Sequence, residues 1–266
     1  LLVNYILITL IVFIFSYVSL INGKTYNFFW VKSIQEKLYF RGLRNIWQYK
    51  NDCVQFDKDL LYVPKNGECA FDNFEFKTIL NFKDGIRINK NDELNFNEKN
   101  SIALLGDSIA MGWGVNDEQT FASNLEKLTS KKIYNMGISS YGTVREIKKL
   151  ISSEIYKEVD TVLIQYHFND LFENQYLDIT KDYSLDEFER NFKSDENNLK
   201  KTVFFLKTFK TSLRLFFADI FDKINPDANY HYIDFNDHIS FLEKLIFDNL
   251  SDKRIVVFFI KEPNMK

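Results

Sequence analysis

The stretch SIALLGDSIAMGWGV, residues 101–115, decides the fold. It opens on an apolar run without polar alternation and closes on Gly106-Asp107-Ser108. A short continuous apolar run ending at a turn residue is the pattern of a strand buried on both faces. Three further runs repeat it: KKIYNMG at 131–137, DTVLIQYHFND at 160–170 and RIVVFFI at 254–260. Between them lie helical patterns. Residues 119–130 place Phe121, Leu125 and Leu128 on one face, and Thr143 is positioned to cap a helix carrying Ile147, Leu150, Ile151 and Ile155. Residues 185–222 and 240–250 also read as helical. Strands without alternation, separated by helices, predict an α/β domain over 101–266: a parallel sheet with helices on both faces, in three layers.

In open α/β sheets ligands bind beyond the carboxyl ends of the strands. The residues there are Gly106-Asp107-Ser108, Asn135-Met136-Gly137 and His167-Phe168-Asn169-Asp170. Ser108 sits where a strand turns into a helix, with its hydroxyl available as a nucleophile. Its own N–H, a close-approaching backbone N–H at Gly137 and the Asn169 amide make three donors around one serine. Such donors stabilise the oxyanion of acyl transfer. Asp107 is expected to hold the turn, and Trp113 and Tyr141 either wall the pocket or pack as core.

These blocks resemble those of the SGNH (GDSL-type) hydrolases. GDSIAMGWGV is similar to the first block, NMGISSYGT to the second and HFND to the third. Gly137 follows Ser108 by 29 residues and Asn169 follows Gly137 by 32. The resemblance implies a flavodoxin-like α/β/α fold, Ser108 as catalytic nucleophile, and Gly137 and Asn169 as oxyanion donors. It covers residues 101–175. Two departures stand out. His167 replaces the glycine of the family's Gly-x-Asn-Asp block. The family's last block, Asp-x-x-His after the final core strand, supplies the general base, and here RIVVFFI is followed by KEPNMK. His231 and His238, near Asp234 and Asp237, have neither the spacing nor the chain order of that block and read as a polar loop. The expectation is a chain stopped before its last catalytic block, with residues 1–266 alone essentially inactive.

Residues 1–23, LLVNYILITLIVFIFSYVSLING, carry no charge, and Lys24 is the first charged residue. Roughly 20 mostly apolar residues suffice for a membrane span. A retained transmembrane anchor is the favoured reading; a cleaved signal peptide and a soluble core helix are the alternatives. Residues 24–100 read as a juxtamembrane and lead-in segment, aromatic and helical to about residue 45, then extended or β-rich. Cys53 and Cys69, the only two cysteines, flank turn chemistry at Pro64-Lys65-Asn66-Gly67. They suggest a disulfide, and so a domain outside the cytosol, with two free thiols as the alternative. The five Lys and Arg residues from Lys24 to Arg44 argue for the opposite orientation. The paired cysteines weigh more, placing the protein in the cell membrane as a single-pass chain with a periplasmic or extracellular domain.

The chain has 34 Lys and Arg against 37 Asp and Glu, a net charge of −3, which leaves no electrostatic footprint for nucleic acid. No phosphate-binding loop or cluster of metal ligands is present, so no cofactor or metal is expected. The leading function is an extracytoplasmic ester hydrolase or O-acyl transferase working through an acyl-serine. Its expected partners are acylated small molecules, lipids or envelope glycans. The alternative is a non-catalytic binding or scaffold protein on the same fold. A phosphate- or nucleotide-binding receiver domain is the remotest reading.

Overall fold

The computed structural model describes residues 2–39, 44–73, 76–90, 97–179, 189–190 and 235–260. The chain divides into two units, Leu1–Ile46 with Lys193–Tyr232, and Trp47–Phe192 with Ile233–Lys266.

The first unit contains α1 (Leu2–Ile21) and α2 (Phe29–Leu38). Phe13 and Leu20 of α1 pack with Leu38 and Tyr39. Gln35 fastens the connection: its amide oxygen accepts the Tyr26 N–H at 3.0 Å and its amide nitrogen donates to the Lys24 carbonyl at 2.9 Å. Leu7, Ile11, Phe15 and Val18 remain exposed. Among the described residues no helix is long and apolar enough to cross a membrane.

The second unit is mixed α/β. Its parallel strands are β6 (Asn97–Leu105), β7 (Lys131–Asn135), β8 (Val159–Tyr166) and β9 (Arg254–Phe259). β6 pairs with β7 on one side and β8 on the other, with Ala103 opposite Tyr134 and Val162. β9 completes the parallel edge, pairing with β8 from Thr161↔Arg254 to Tyr166↔Phe259. Alternate residues of β6 enter different cores. Ala103 and Leu105 pack with Ile147 and Leu150 of α5 (Thr143–Ile151) and Leu250 of α8 (Phe235–Leu250). Ile102 and Leu104 pack with Ala110 of α3 (Ser108–Met111) and Ala122 of α4 (Phe121–Thr129). Both faces are covered, as runs without alternation require.

The expected all-parallel sheet is corrected. β3 (Gly67–Asp72), β4 (Lys77–Lys83) and β5 (Ile86–Arg87) extend the same sheet antiparallel, in the order β3-β4-β5-β7-β6-β8-β9. The sheet thus runs straight through residue 100. The reason is local: Asp84 and Gly85, both at positive φ, link β4 to β5 in a two-residue hairpin, and so tight a turn permits only antiparallel neighbours. The lead-in also forms a hairpin of β1 (Val54–Asp57) and β2 (Leu61–Pro64), and a disulfide joins Cys53 to Cys69. Trp47, Tyr62, Phe71 and Phe82 bury against Met111 and Tyr141, so the lead-in is anchored on the segments that follow β6 and β7.

Three helix details differ from expectation. Gly142, not Thr143, is the N-cap of α5, because the Thr143 hydroxyl faces Asp170 Oδ2 at 3.5 Å. α4 buries Ala122, Ser123 and Glu126 while Leu128 is 83% exposed. Glu126 turns that face inward by accepting the Ile133 N–H at 3.0 Å. Residues 185–222, expected as helical, lie outside the described residues except for 189 and 190.

Candidate active site

The parallel strands run β7-β6-β8-β9, which is second, first, third and fourth in chain order. In that order the switch point lies between β6 and β8, where crossovers leave in opposite directions and a crevice opens. Gly106-Asp107-Ser108 follows β6 and His167-Phe168-Asn169 follows β8.

Gly106 has φ +149°, and a Cβ there would lie 2.6 Å from Ala110 Cβ and 2.8 Å from Gln165 Oε1. Only glycine lets β6 turn so tightly into α3. Asp107 is buried and caps α3, its carboxylate accepting the Ile109 N–H at 2.8 Å. Gln165, a polar residue inside an apolar strand, accepts the Ala110 N–H at 3.1 Å. Ser108 is the first residue of α3 and is half-buried. Arg87 holds the exit of the turn. Its guanidinium donates to the carbonyls of Met111, Gly112 and Val115 at 2.6–2.7 Å and to Asp117 Oδ1 at 3.0 Å.

The second block lies against the first. The Ile138 N–H donates to the Gly106 carbonyl at 3.0 Å, and the Met136 N–H to that of Leu104 at 2.9 Å. A Cβ on Gly137 would fall 2.4 Å from Met111 N and 2.7 Å from Ala110 C. The backbone of Gly137 therefore presses on α3 as no other residue could. Its N–H, however, donates to Asn135 Oδ1 at 3.2 Å.

The third block reaches the first through a residue whose direct role the family pattern does not provide. His167 Nδ1 lies 2.5 Å from Asn169 Oδ1 and 3.7 Å from Asp107 Oδ2. The Asn169 backbone N–H also points at Nδ1, at 3.5 Å, so the role of that nitrogen follows the tautomer of the ring. Asn169, first residue of α7 (Asn169–Ile179), spends its amide oxygen on His167 and keeps its NH2 as a donor. The structure thus brings Ser108, Gly137 and Asn169 to one sheet edge.

Beneath the edge lies an acidic group. Asp170 accepts the His167 N–H at 3.2 Å, and burial, with Asp107 and Glu173 nearby, pushes its carboxyl up to about 8. Glu146 is fully buried, and neither of its carboxyl oxygens has a partner among the described residues. Burial first, then the neighbouring Asp170 and Asp107, hold it well above the usual carboxylate range. A neighbouring negative charge and burial act in the same direction on Glu146 and Asp170, each favouring the protonated carboxyl. Lys149 donates to the carbonyls of Gly85 and Met136, and burial lowers its amine to about 7.

His231 and Asp234 lie outside the described residues. His238 is not in a loop: it sits in α8, 5% exposed, with Nε2 2.8 Å from the Tyr166 hydroxyl. Burial lowers its pKa. Tyr141 and Trp113 take the packing alternative, Tyr141 fully buried and Trp113 stacked edge-on against Phe71 and Phe76. Among the described residues no group of three His, Cys, Asp or Glu is arranged to hold a metal. Gln165 and Arg145 escaped the sequence reading. A glutamine inside an apolar strand was the one available signal for the first; nothing local marked the second. No protein-family model matches the chain, and no curated protein matches it.

Proposed function

We propose that the chain is an SGNH-type serine ester hydrolase or O-acyl transferase acting outside the cytosol. The observation that carries the reading is the meeting of the three blocks: the Ile138 N–H on the Gly106 carbonyl, Gly137 pressed on α3, and His167 between Asp107 and Asn169. Ser108 Oγ attacks the ester carbonyl and loses its proton to a base. The oxyanion is held by the Ser108 and Gly137 N–H groups and the Asn169 amide. Collapse expels the alcohol, which takes up the proton, and leaves an acyl-serine. Water then releases the acid, or a second hydroxyl accepts the acyl group. In the SGNH pattern the base is a histidine placed after the last core strand. The Cys53–Cys69 disulfide supports an oxidising compartment. The uncharged run through α1 and its exposed apolar side chains support a membrane anchor, with the second unit periplasmic or extracellular.

The test is fluorophosphonate labelling and p-nitrophenyl acetate turnover of the protein made from its full reading frame. Labelling lost in Ser108→Ala, and turnover reduced about 100- to 1000-fold in Asn169→Ala, are expected. An intact, folded protein with neither Ser108-dependent labelling nor turnover sinks the esterase.

The second reading, a binding or scaffold protein on the same fold, draws on one observation. The Gly137 N–H is already committed to Asn135. That protein would bind its ligand equally with and without the Ser108 hydroxyl.

A further inference from the structure

Beside the candidate site is a cavity of about 300 Å³ whose walls come from three places. Ser140 and Arg145 follow Gly137, Phe172 and Glu173 follow Asn169, and Gln48, Tyr49, Leu61 and Tyr62 belong to the lead-in. Arg145 is 2% exposed and stacks over the rings of Tyr141 and Tyr62, 4.6 and 5.3 Å from their centroids. Its Nη2 donates to Glu173 Oε2 at 2.8 Å and to the Ser140 carbonyl. Its Nε and Nη1 are buried without a hydrogen-bond partner among the described residues. Buried guanidinium donors left unmatched are costly unless something supplies acceptors.

We infer that this cavity is a subsite for one neutral sugar ring. It rests on the esterase reading only for its place in a reaction, by selecting a glycan ester as the substrate class. Three features choose a sugar over the other ligands. The Arg145–Glu173 pair is neutral overall, which disfavours an anion, and Glu173, 28% exposed at its side chain, offers an acceptor to a hydroxyl. Phe172, 43% exposed, and Tyr49 offer apolar faces to the C–H side of a ring. The polar Gln48, Ser140 and Glu173 make the cavity unfit for a bare acyl chain. The volume, at the low end for ligand pockets, suits one ring rather than a long oligomer.

The experiment titrates the full-reading-frame protein carrying Ser108→Ala, so that binding is read without catalysis. The probes are the methyl glycosides of glucose, galactose and mannose, and N-acetylglucosamine, followed by saturation-transfer NMR. At least one is expected to bind with a millimolar Kd, weakened about tenfold in Phe172→Ala and several-fold in Glu173→Gln. Leu128→Ala, on the far exposed face of α4, keeps the parent Kd. Absence of binding by all four probes overturns the proposal. So does a Kd unmoved by both substitutions, or displacement of the sugar by decanoate or inorganic phosphate at comparable concentration. Sugar binding without Ser108-dependent labelling in the parent would overturn the esterase and leave the subsite standing. Labelling without sugar binding would do the reverse.

Discussion

Two arginines are buried in the second unit, and they are treated in opposite ways. Arg87 is engaged at all three nitrogens: one carboxylate and three carbonyls take four of its five N–H donors. Asp117 beside it is equally engaged, accepting from the Asn81 backbone and side chain as well. Arg145 has one nitrogen engaged and two without hydrogen bonds, over tyrosine faces and beside a cavity. A closed arginine fixes a backbone turn, here the one that carries Ser108. The other leaves two nitrogens sealed against ring faces beside a cavity.

The comparison is broken if the two respond alike to truncation. Arg87→Met leaves the fully buried Asp117 carboxylate with only Asn81 and the half-exposed Lys90, and frees three carbonyls, so an expected loss of about 3 kcal/mol should appear in urea denaturation. Arg145→Met leaves Glu173, which is partly solvated, and should cost less than half as much. Equal losses would mean that Arg145 is as structural as Arg87.

The lead-in that walls the cavity is tested next. The Cys53→Ser/Cys69→Ser double variant frees a 16-residue separation and should lose about 3 kcal/mol by the loop-entropy estimate. Sugar binding should weaken with it in any preparation that remains folded. The last test is a pH slope. Asp170 has a native pKa raised to about 8 from an ordinary value near 4, so the native state holds a proton that the unfolded chain releases. Its contribution is fully present below about pH 4 and is lost as pH rises through 8. Asp170→Asn should therefore flatten the fall in melting temperature across that window. An unchanged slope would assign it to Glu146 instead.

Much of this edge was legible. SIALLGDS, KKIYNMG and DTVLIQYHFND each name a strand and the residues beyond it, because burial on both faces forces an unbroken apolar run. Gly106 was legible as the turn that ends the first run and Gly137 as a close approach of the backbone. The antiparallel edge was less so, although Asp84-Gly85 carries the turn signal. Its strands are half-exposed and polar-rich, and the pattern blurs. The inward face of α4 was misread because a hydrogen bond from Ile133 to Glu126 outweighs the burial of Leu128.

The sequence alone determined which segments are the parallel strands, the order of the three blocks and the residues that follow each strand, because these follow from local burial and backbone sterics. Only the tertiary structure decided that the lead-in joins the same sheet. It also decided that His167 links Asp107 to Asn169, that the Gly137 N–H is held by Asn135, and that Arg145 borders a cavity with donors unspent. Some of those contacts join residues tens of positions apart, and the two short ones, Gly137 to Asn135 and His167 to Asn169, depend on side-chain orientations that no apolar pattern records.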